Sequence, residues 1–140
     1  MVVVRWFFYL VVFLGLLIGA AYLYAPYNNG PLEIFPGGEM SGPLGTETNW
    51  EFAKDYGMLD LELRPEDPYS VRLNYIYRDG NVYIDPAEGR TWFEYLKQNQ
   101  NVRVRFDKDI YKAKAVLVTD EAEKEGMDPT RIIYRLEMVR

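Results

Sequence analysis

Two runs of alternating side chains, each folded back by a tight turn, constrain this chain more than any other feature. In the first, Val71, Leu73, Tyr75 and Tyr77 alternate with Arg72, Asn74, Ile76 and Arg78, the period of a half-buried strand. Asp79-Gly80 follows, a strong short-range hairpin signal because Gly80 takes positive φ at little cost. The return strand runs from Asn81 to Ile84, and Asp85-Pro86 ends it, since Pro86 has no N–H for a ladder. The second run sets Val102, Val104 and Phe106 against Arg103, Arg105 and Asp107. Lys108-Asp109 is the expected turn and Ile110–Val118 the return.

Between the hairpins a short helix is expected. Thr91 and Glu94 have capping-box spacing, Trp92, Tyr95 and Leu96 share a face, and Asn99-Gln100-Asn101 is a run of turn formers. Met58–Leu63 reads as a preceding strand with Leu59, Leu61 and Leu63 on one face. Asp120–Glu125 reads as a short acidic helix. Ile132, Tyr134, Leu136 and Met138 alternate as a closing strand, with a helix from Pro129 as the alternative. Two hairpins around one helix point to an antiparallel sheet that curls into a barrel.

Ahead of this block lies a membrane segment. Trp6–Ala25 carries no charge over 20 residues, which as a helix spans roughly 30 Å, the thickness of a bilayer's hydrocarbon core. Trp6 at one end and Tyr22 and Tyr24 at the other suit the aromatic belts. A cleaved signal peptide is the alternative, but its apolar region is only about 7–15 residues long. Arg5 precedes the span, whereas Glu33, Glu39, Glu47 and Glu51 come before the first following basic residue, Lys54. By the positive-inside rule the N-terminus is cytoplasmic and the domain lies on the outer, periplasmic or extracellular side. The expected organisation is an anchor over 1–25, a Pro/Gly-rich linker or arm over 26–51 and a folded domain over 52–140. Prolines 26, 31, 36 and 43 and glycines 30, 37, 38, 42 and 45 forbid a regular helix in the middle segment. There Gly37-Gly38 lets backbone approach a phosphate or a neighbouring strand, or belongs to a loop that lifts the domain off the membrane. Trp50 and Phe52 are expected to dock on the barrel.

Composition removes whole classes of chemistry. The chain has neither His nor Cys. It therefore has no Ser-His-Asp site, no His-ligated metal, no disulfide and no thiol nucleophile. A net charge of −5 argues against a nucleic-acid partner. Basic residues nonetheless gather on the strands: Arg72, Arg103, Arg105, Lys112 and Lys114, with Arg90 at the helix start, where free amides favour an anion. They are either an anion site or a solvated outer face. Trp92 and Tyr95 either line a ligand or form the helix's buried face. Tyr75, Tyr77, Tyr83 and Tyr111 either contact a ligand or fill the barrel. Asp85 and Glu88 read as an exposed loop, and Asp120, Glu121, Glu123 and Glu125 lack calcium-loop spacing.

Gly80, Tyr83, Arg90, Trp92, Leu96, Val102, Val104 and Tyr111, with Ala115-Val116-Leu117-Val118-Thr119-Asp120, resemble the split-barrel flavin-binding superfamily typified by pyridoxamine 5'-phosphate oxidase, which includes deazaflavin-dependent reductases. Pro36–Gly42 and Tyr134–Glu137 resemble a membrane-anchored subgroup of it. The resemblance implies a mainly β fold with short helices (α+β), an antiparallel split β-barrel behind one N-terminal transmembrane helix. It implies a flavin-type cofactor, FMN or a deazaflavin, without a metal. It assigns a phosphate site to an early strand and the helix after the hairpin, so the expected cofactor-binding set is Arg72, Asn74, Arg90, Trp92, Arg103 and Arg105. It also implies a homodimer. Two functions follow: a membrane-anchored flavin protein with redox chemistry, or a non-enzymatic binding or assembly module that keeps the barrel without a cofactor.

Overall fold

The computed structural model of the chain describes residues 2–139. Helix α1 (Val2–Tyr24) is long and apolar enough to cross a membrane, and its described side chains lie almost entirely exposed, as those of a span facing lipid would. The rest is built on seven antiparallel strands: β1 (Met58–Leu63), β2 (Tyr69–Asn74), β3 (Ile76–Arg78), β4 (Asn81–Ile84), β5 (Asn101–Phe106), β6 (Asp109–Leu117) and β7 (Tyr134–Met138). Their order in the sheet is β2-β1-β5-β6-β7-β4-β3. The two terminal strands of that order, β2 and β3, are separated in the chain by Tyr75 alone. The sheet must therefore curl round on itself as a half-barrel.

The expected single strand from Val71 to Arg78 is thus two strands with different partners, β2 against β1 and β3 against β4. Alternation continues through the break, so the pattern gives no sign of it. The break is held by Tyr75, whose hydroxyl donates to the carbonyls of Ala53 and, at 2.6 Å, Tyr56. The β3–β4 hairpin turns at Asp79-Gly80 as expected. Both residues have positive φ (50° and 75°), the conformation that a two-residue turn between twisted strands requires. The β5–β6 turn falls one residue earlier than expected, at Asp107-Lys108: Phe106 pairs with Asp109, and Asp107 takes the left-handed conformation.

Helix α2 (Thr91–Gln98) has Arg90 as its N-cap, without a capping side chain. The capping box fails because Thr91 is already inside the first turn, one position too late. Phe93 and Leu96 are the buried pair, with Trp92 and Tyr95 half-buried beside them. The acidic stretch after β6 is a series of turns rather than a helix. The Asp120 carboxylate accepts from Ala122 N–H, and Gly126 at φ 81° breaks the path.

Leu59, Leu61 and Leu63 of β1, Val102, Val104 and Phe106 of β5, and Tyr134 and Leu136 of β7 all enter one core with Phe93 and Leu96. Trp50 joins it, its indole N–H donating to Leu136 O at 2.7 Å, and Phe52 stacks on Tyr111 at 4.9 Å. The outward face of β1 is buried as well. Asp60 is 5% and Glu62 4% exposed. Asp60 lies between Arg72 of β2 and Arg105 of β5 (both 2.8 Å), and Glu62 pairs with Arg103 at 2.7 Å. The covering layer is the 26–51 segment. Met40 N–H donates to Glu62 at 2.5 Å and Met40 itself is fully buried. Asn29 accepts from Arg105, and Gly37 exchanges both backbone hydrogen bonds with Ser70 of β2. The segment is an arm laid on the sheet. Gly37 pairs with a neighbouring strand through its backbone while the arm crowds its other side: a Cβ on Gly37 would sit 1.8 Å from the Gly30 carbonyl oxygen.

Two outcomes follow for stability, measured by urea unfolding of the full chain in detergent. Asp60→Ala leaves two arginines without their shared buried carboxylate and should lower stability by roughly 2–4 kcal/mol, whereas Asp67→Ala, which removes an exposed partner of Arg64, should change it by less than about 1 kcal/mol. Gly37→Ala should cost roughly 1–3 kcal/mol and speed amide exchange at Ser70 specifically, because a Cβ crowding Gly30 pushes Gly37 out of its pairing with Ser70.

Candidate functional site

Four of the six residues expected at a cofactor site come together. Arg72 and Asn74 of β2 and Arg90 and Trp92 at the start of α2 line one cleft of about 580 Å³, closed on its third side by Glu33–Pro36 of the arm. The curl of the sheet makes this possible. β2 is a terminal strand of the sheet order, and the chain returns past its face after β4, through Asp85 and Ala87, into α2. Arg131 adds a further guanidinium to the wall, paired with Asp85 at 3.4 Å.

The two expected anion ligands differ in character. Arg72 is fixed: its Nε donates to Asp60 at 2.8 Å, and that hydrogen bond holds its pKa above the usual arginine value, ahead of the opposing effect of burial. Its Nη1 reaches Glu33 of the arm at 3.3 Å. Arg90 is exposed and makes no ion pair among the described residues. It stands at the N-terminus of α2, where the first amides lack intrahelical acceptors. Trp92 gives the cleft a half-buried aromatic wall, and Asn74 is exposed at its rim.

Arg103 and Arg105 lie elsewhere, outside the residues lining this cleft. Both belong to the paired outer face of β5: Arg103 is held by Glu62, whose hydrogen bond is the main cause of its raised pKa, and Arg105 by Asp60. Lys112 and Lys114 extend the same row on β6, opposite Arg103 and Asn101. The carboxylates that organise this face, Asp60 and Glu62, were not singled out from sequence, because Leu-Asp-Leu-Glu-Leu reads as an ordinary half-solvated strand. The signal available was that the acids of β1 and the arginines of two other strands alternate in the same phase.

The tyrosine hydroxyls are occupied internally. Tyr77 donates to Glu51 at 3.2 Å, Tyr83 to Glu123 at 3.1 Å and Tyr111 to Glu47 at 2.5 Å. Burial and then the Glu47 hydrogen bond push the Tyr111 phenol up, and the same bond draws the Glu47 carboxyl down. Glu88 is exposed, and Asp85 is taken by Arg131. Among the described residues no group of three or more acidic, His or Cys side chains is placed to hold a metal. The cleft can therefore grip an anion next to a planar group; its two carboxylates, Glu33 and Asp85, are paired with Arg72 and Arg131.

No protein-family profile and no curated protein matches the sequence. Solved structures do match the fold. A FAD-binding protein from Mycobacterium smegmatis superimposes with a TM-score of 0.53 at 18% identity, over 69% of this chain and 92% of that one. A putative pyridoxamine 5'-phosphate oxidase from Corynebacterium glutamicum gives 0.50 at 18%, over 72% and 91%. Another from Listeria innocua gives 0.50 at 16%, over 62% and 87%. With its curled seven-stranded antiparallel sheet and short helix between hairpins, the chain has the split-barrel fold of pyridoxamine 5'-phosphate oxidase-like and flavin-binding proteins.

Proposed function

We propose that this is a membrane-tethered split-barrel protein that binds a flavin-type cofactor, FMN or a deazaflavin, in the cleft between β2, α2 and the arm. The observation that carries the reading is the convergence of Arg72, Asn74, Arg90 and Trp92 on that one cleft. At about 580 Å³ it falls within the range of small-molecule sites, about 300–1,000 Å³. Arg90 and the free amides of the first turn of α2 suit a phosphate, Arg72 offers a second guanidinium that Asp60 keeps in place, and Trp92 gives a face for a ring system. A bound flavin supplies electron or hydride transfer, which accounts for an absence of His and Cys. The FAD-binding protein among the solved structures of this fold supports the same ligand class. The chain anchors in lipid through α1, its N-terminus is cytoplasmic and its domain lies outside, and it pairs with a second copy.

A second reading is a binding or assembly module without cofactor. What favours it is the pairing of Arg103 and Arg105 with internal carboxylates, which leaves them no free charge for a ligand.

Titration of the full chain with FMN in a nonionic detergent separates the two. Flavin binding should be seen by fluorescence with micromolar affinity, and Arg90→Ala should weaken it by about tenfold, the worth of one charged hydrogen bond. Riboflavin, which lacks the phosphate, should be indifferent to that change. A chain that ignores both FMN and a deazaflavin is the assembly module. Topology is read separately. Because the chain has no native cysteine, a single Glu125→Cys substitution should be labelled in intact cells by a membrane-impermeant maleimide; protection from the label would place the domain in the cytoplasm.

A further inference from the structure

The arm carries an acidic residue into the cleft. Leu32 and Phe35 exchange both backbone hydrogen bonds (3.0 and 2.9 Å), so Glu33 and Ile34 form a two-residue turn. Glu33 sits there with φ 52°, in the left-handed region that favours glycine and asparagine. Two residues later Gly37 is pinned to Ser70 of β2, and the next outward side chain along β2 is Arg72. The turn therefore hangs over Arg72, and the Glu33 carboxylate meets its Nη1 at 3.3 Å. Arg72 has a different, stronger partner in Asp60, whose side chain is 7% exposed, whereas the Glu33 side chain is 79% exposed.

We propose that Glu33 is an internal anion occupying the phosphate position at Arg72, and that a ligand phosphate binds by displacing it. Asp60 is shared by Arg72 and Arg105, so this cluster of three carries one surplus positive charge, and Glu33 cancels it. The Arg72–Asp60 bond stays in place when Glu33 leaves. An exposed ion pair contributes little, about 0–1 kcal/mol. A phosphate with a charge of about −1.5 to −2 and three acceptor oxygens competes with it successfully. A neutral ligand does not. Glu33 thus weakens the hold on phosphate-bearing ligands without touching neutral ones, and its release frees the turn of the arm that joins the barrel to α1. The phosphate ligand's identity as a flavin rests on the reading above; the displacement does not.

The test uses the full chain in nonionic detergent, with Glu33→Gln compared to the native protein. Glu39→Gln removes an equal charge from the same arm outside the cleft. The probes are FMN, riboflavin and inorganic pyrophosphate, the last followed through the Arg72 Nε–H signal by NMR. Pyrophosphate and FMN should bind roughly 2- to 5-fold tighter to Glu33→Gln, with riboflavin unchanged, and the gain should shrink at high salt. Glu39→Gln should bind as the native chain does. Equal affinities in native and Glu33→Gln protein, equal tightening by Glu39→Gln, or no pyrophosphate binding to either form overturns the proposal. Tighter pyrophosphate binding without any FMN binding upholds the displacement and removes the flavin reading instead.

Discussion

Two carboxylates on the outward face of β1 hold this structure together. A strand with Leu59, Leu61 and Leu63 on its inner face would ordinarily turn its other face to water. Here Asp60 and Glu62 are buried too, so each needs a cation, since an unpaired buried charge costs several kcal/mol. The cations come from both neighbouring strands: Arg72 of β2 and Arg105 of β5 on Asp60, and Arg103 on Glu62. This pairing is a register device. Asp60 stands directly across from Arg72 and from Arg105, and Glu62 from Arg103. A slip of one residue would put leucine opposite arginine on both sides. The hydrophobic alternation and the charge alternation therefore specify the same alignment twice.

Closure of the sheet depends on that alignment. With β2 fixed on β1, the chain must leave β2 at Tyr75 and begin β3 at the far end of the strand order. Tyr75 stabilises the passage by giving its hydroxyl to the carbonyls at the end of the 3₁₀ turn Glu51–Asp55. The same passage leaves β2 as a terminal strand beside α2, with Tyr69 against Tyr95, and so forms the cleft. Arg72 belongs to both structures: its Nε serves the register, and its Nη1 faces the arm. A residue bound on one side to a buried carboxylate keeps its geometry whether or not a ligand is present. It is preorganised for an anion without being wholly consumed by the fold.

Much of this was legible in the sequence because local rules and tertiary packing agreed. The turn at Asp79-Gly80, the strand Met58–Leu63, the docking of Trp50 and the curl of the sheet each followed from a clear pattern, and of the two readings for the C-terminal segment, strand and helix, the alternating one holds over Tyr134–Met138. Misreadings occurred where two readings were locally equivalent. Alternation through Tyr75 is the same for one strand or two. Asp107 and Lys108 could each open a tight turn, and only the burial of Phe106 opposite Asp109 decides between them. Thr91 and Glu94 have the right spacing for a cap, but the helix begins a residue too early to use it. The cleft was partly legible: Arg72, Asn74, Arg90 and Trp92 were named from strand and helix-start positions and lie together. Arg103 and Arg105 were named on the same grounds and lie apart, because charge on an outward strand face says nothing about which acid will sit beside it. Nothing local marks Glu33 as a neighbour of Arg72. That contact is made by the Gly37–Ser70 pairing, 33 residues apart in sequence.

The arm is more than a spacer between α1 and the barrel. A flexible linker would let the barrel sample many orientations and leave its sites independent of the anchor. This arm begins where α1 ends, pairs with β2, covers Asp60 and Glu62 and supplies Glu33–Pro36 to the cleft wall. Its glycines fit that work: Gly37 lets two stretches of the arm lie against each other where a Cβ would meet the Gly30 carbonyl. The cleft is consequently built from barrel and arm together, the barrel giving a fixed cation in Arg72 and the arm giving an exposed anion, Glu33, on a turn with positive φ. Strain and exposure place the Leu32–Phe35 turn among the least stable parts of the arm, and the buried Met40 and the Gly37–Ser70 pair among its most stable. The Leu32–Phe35 turn lies between two attachments of the arm, Asn29 on Arg105 and Gly37 on Ser70. What enters the cleft can move that turn without lifting the arm from the sheet.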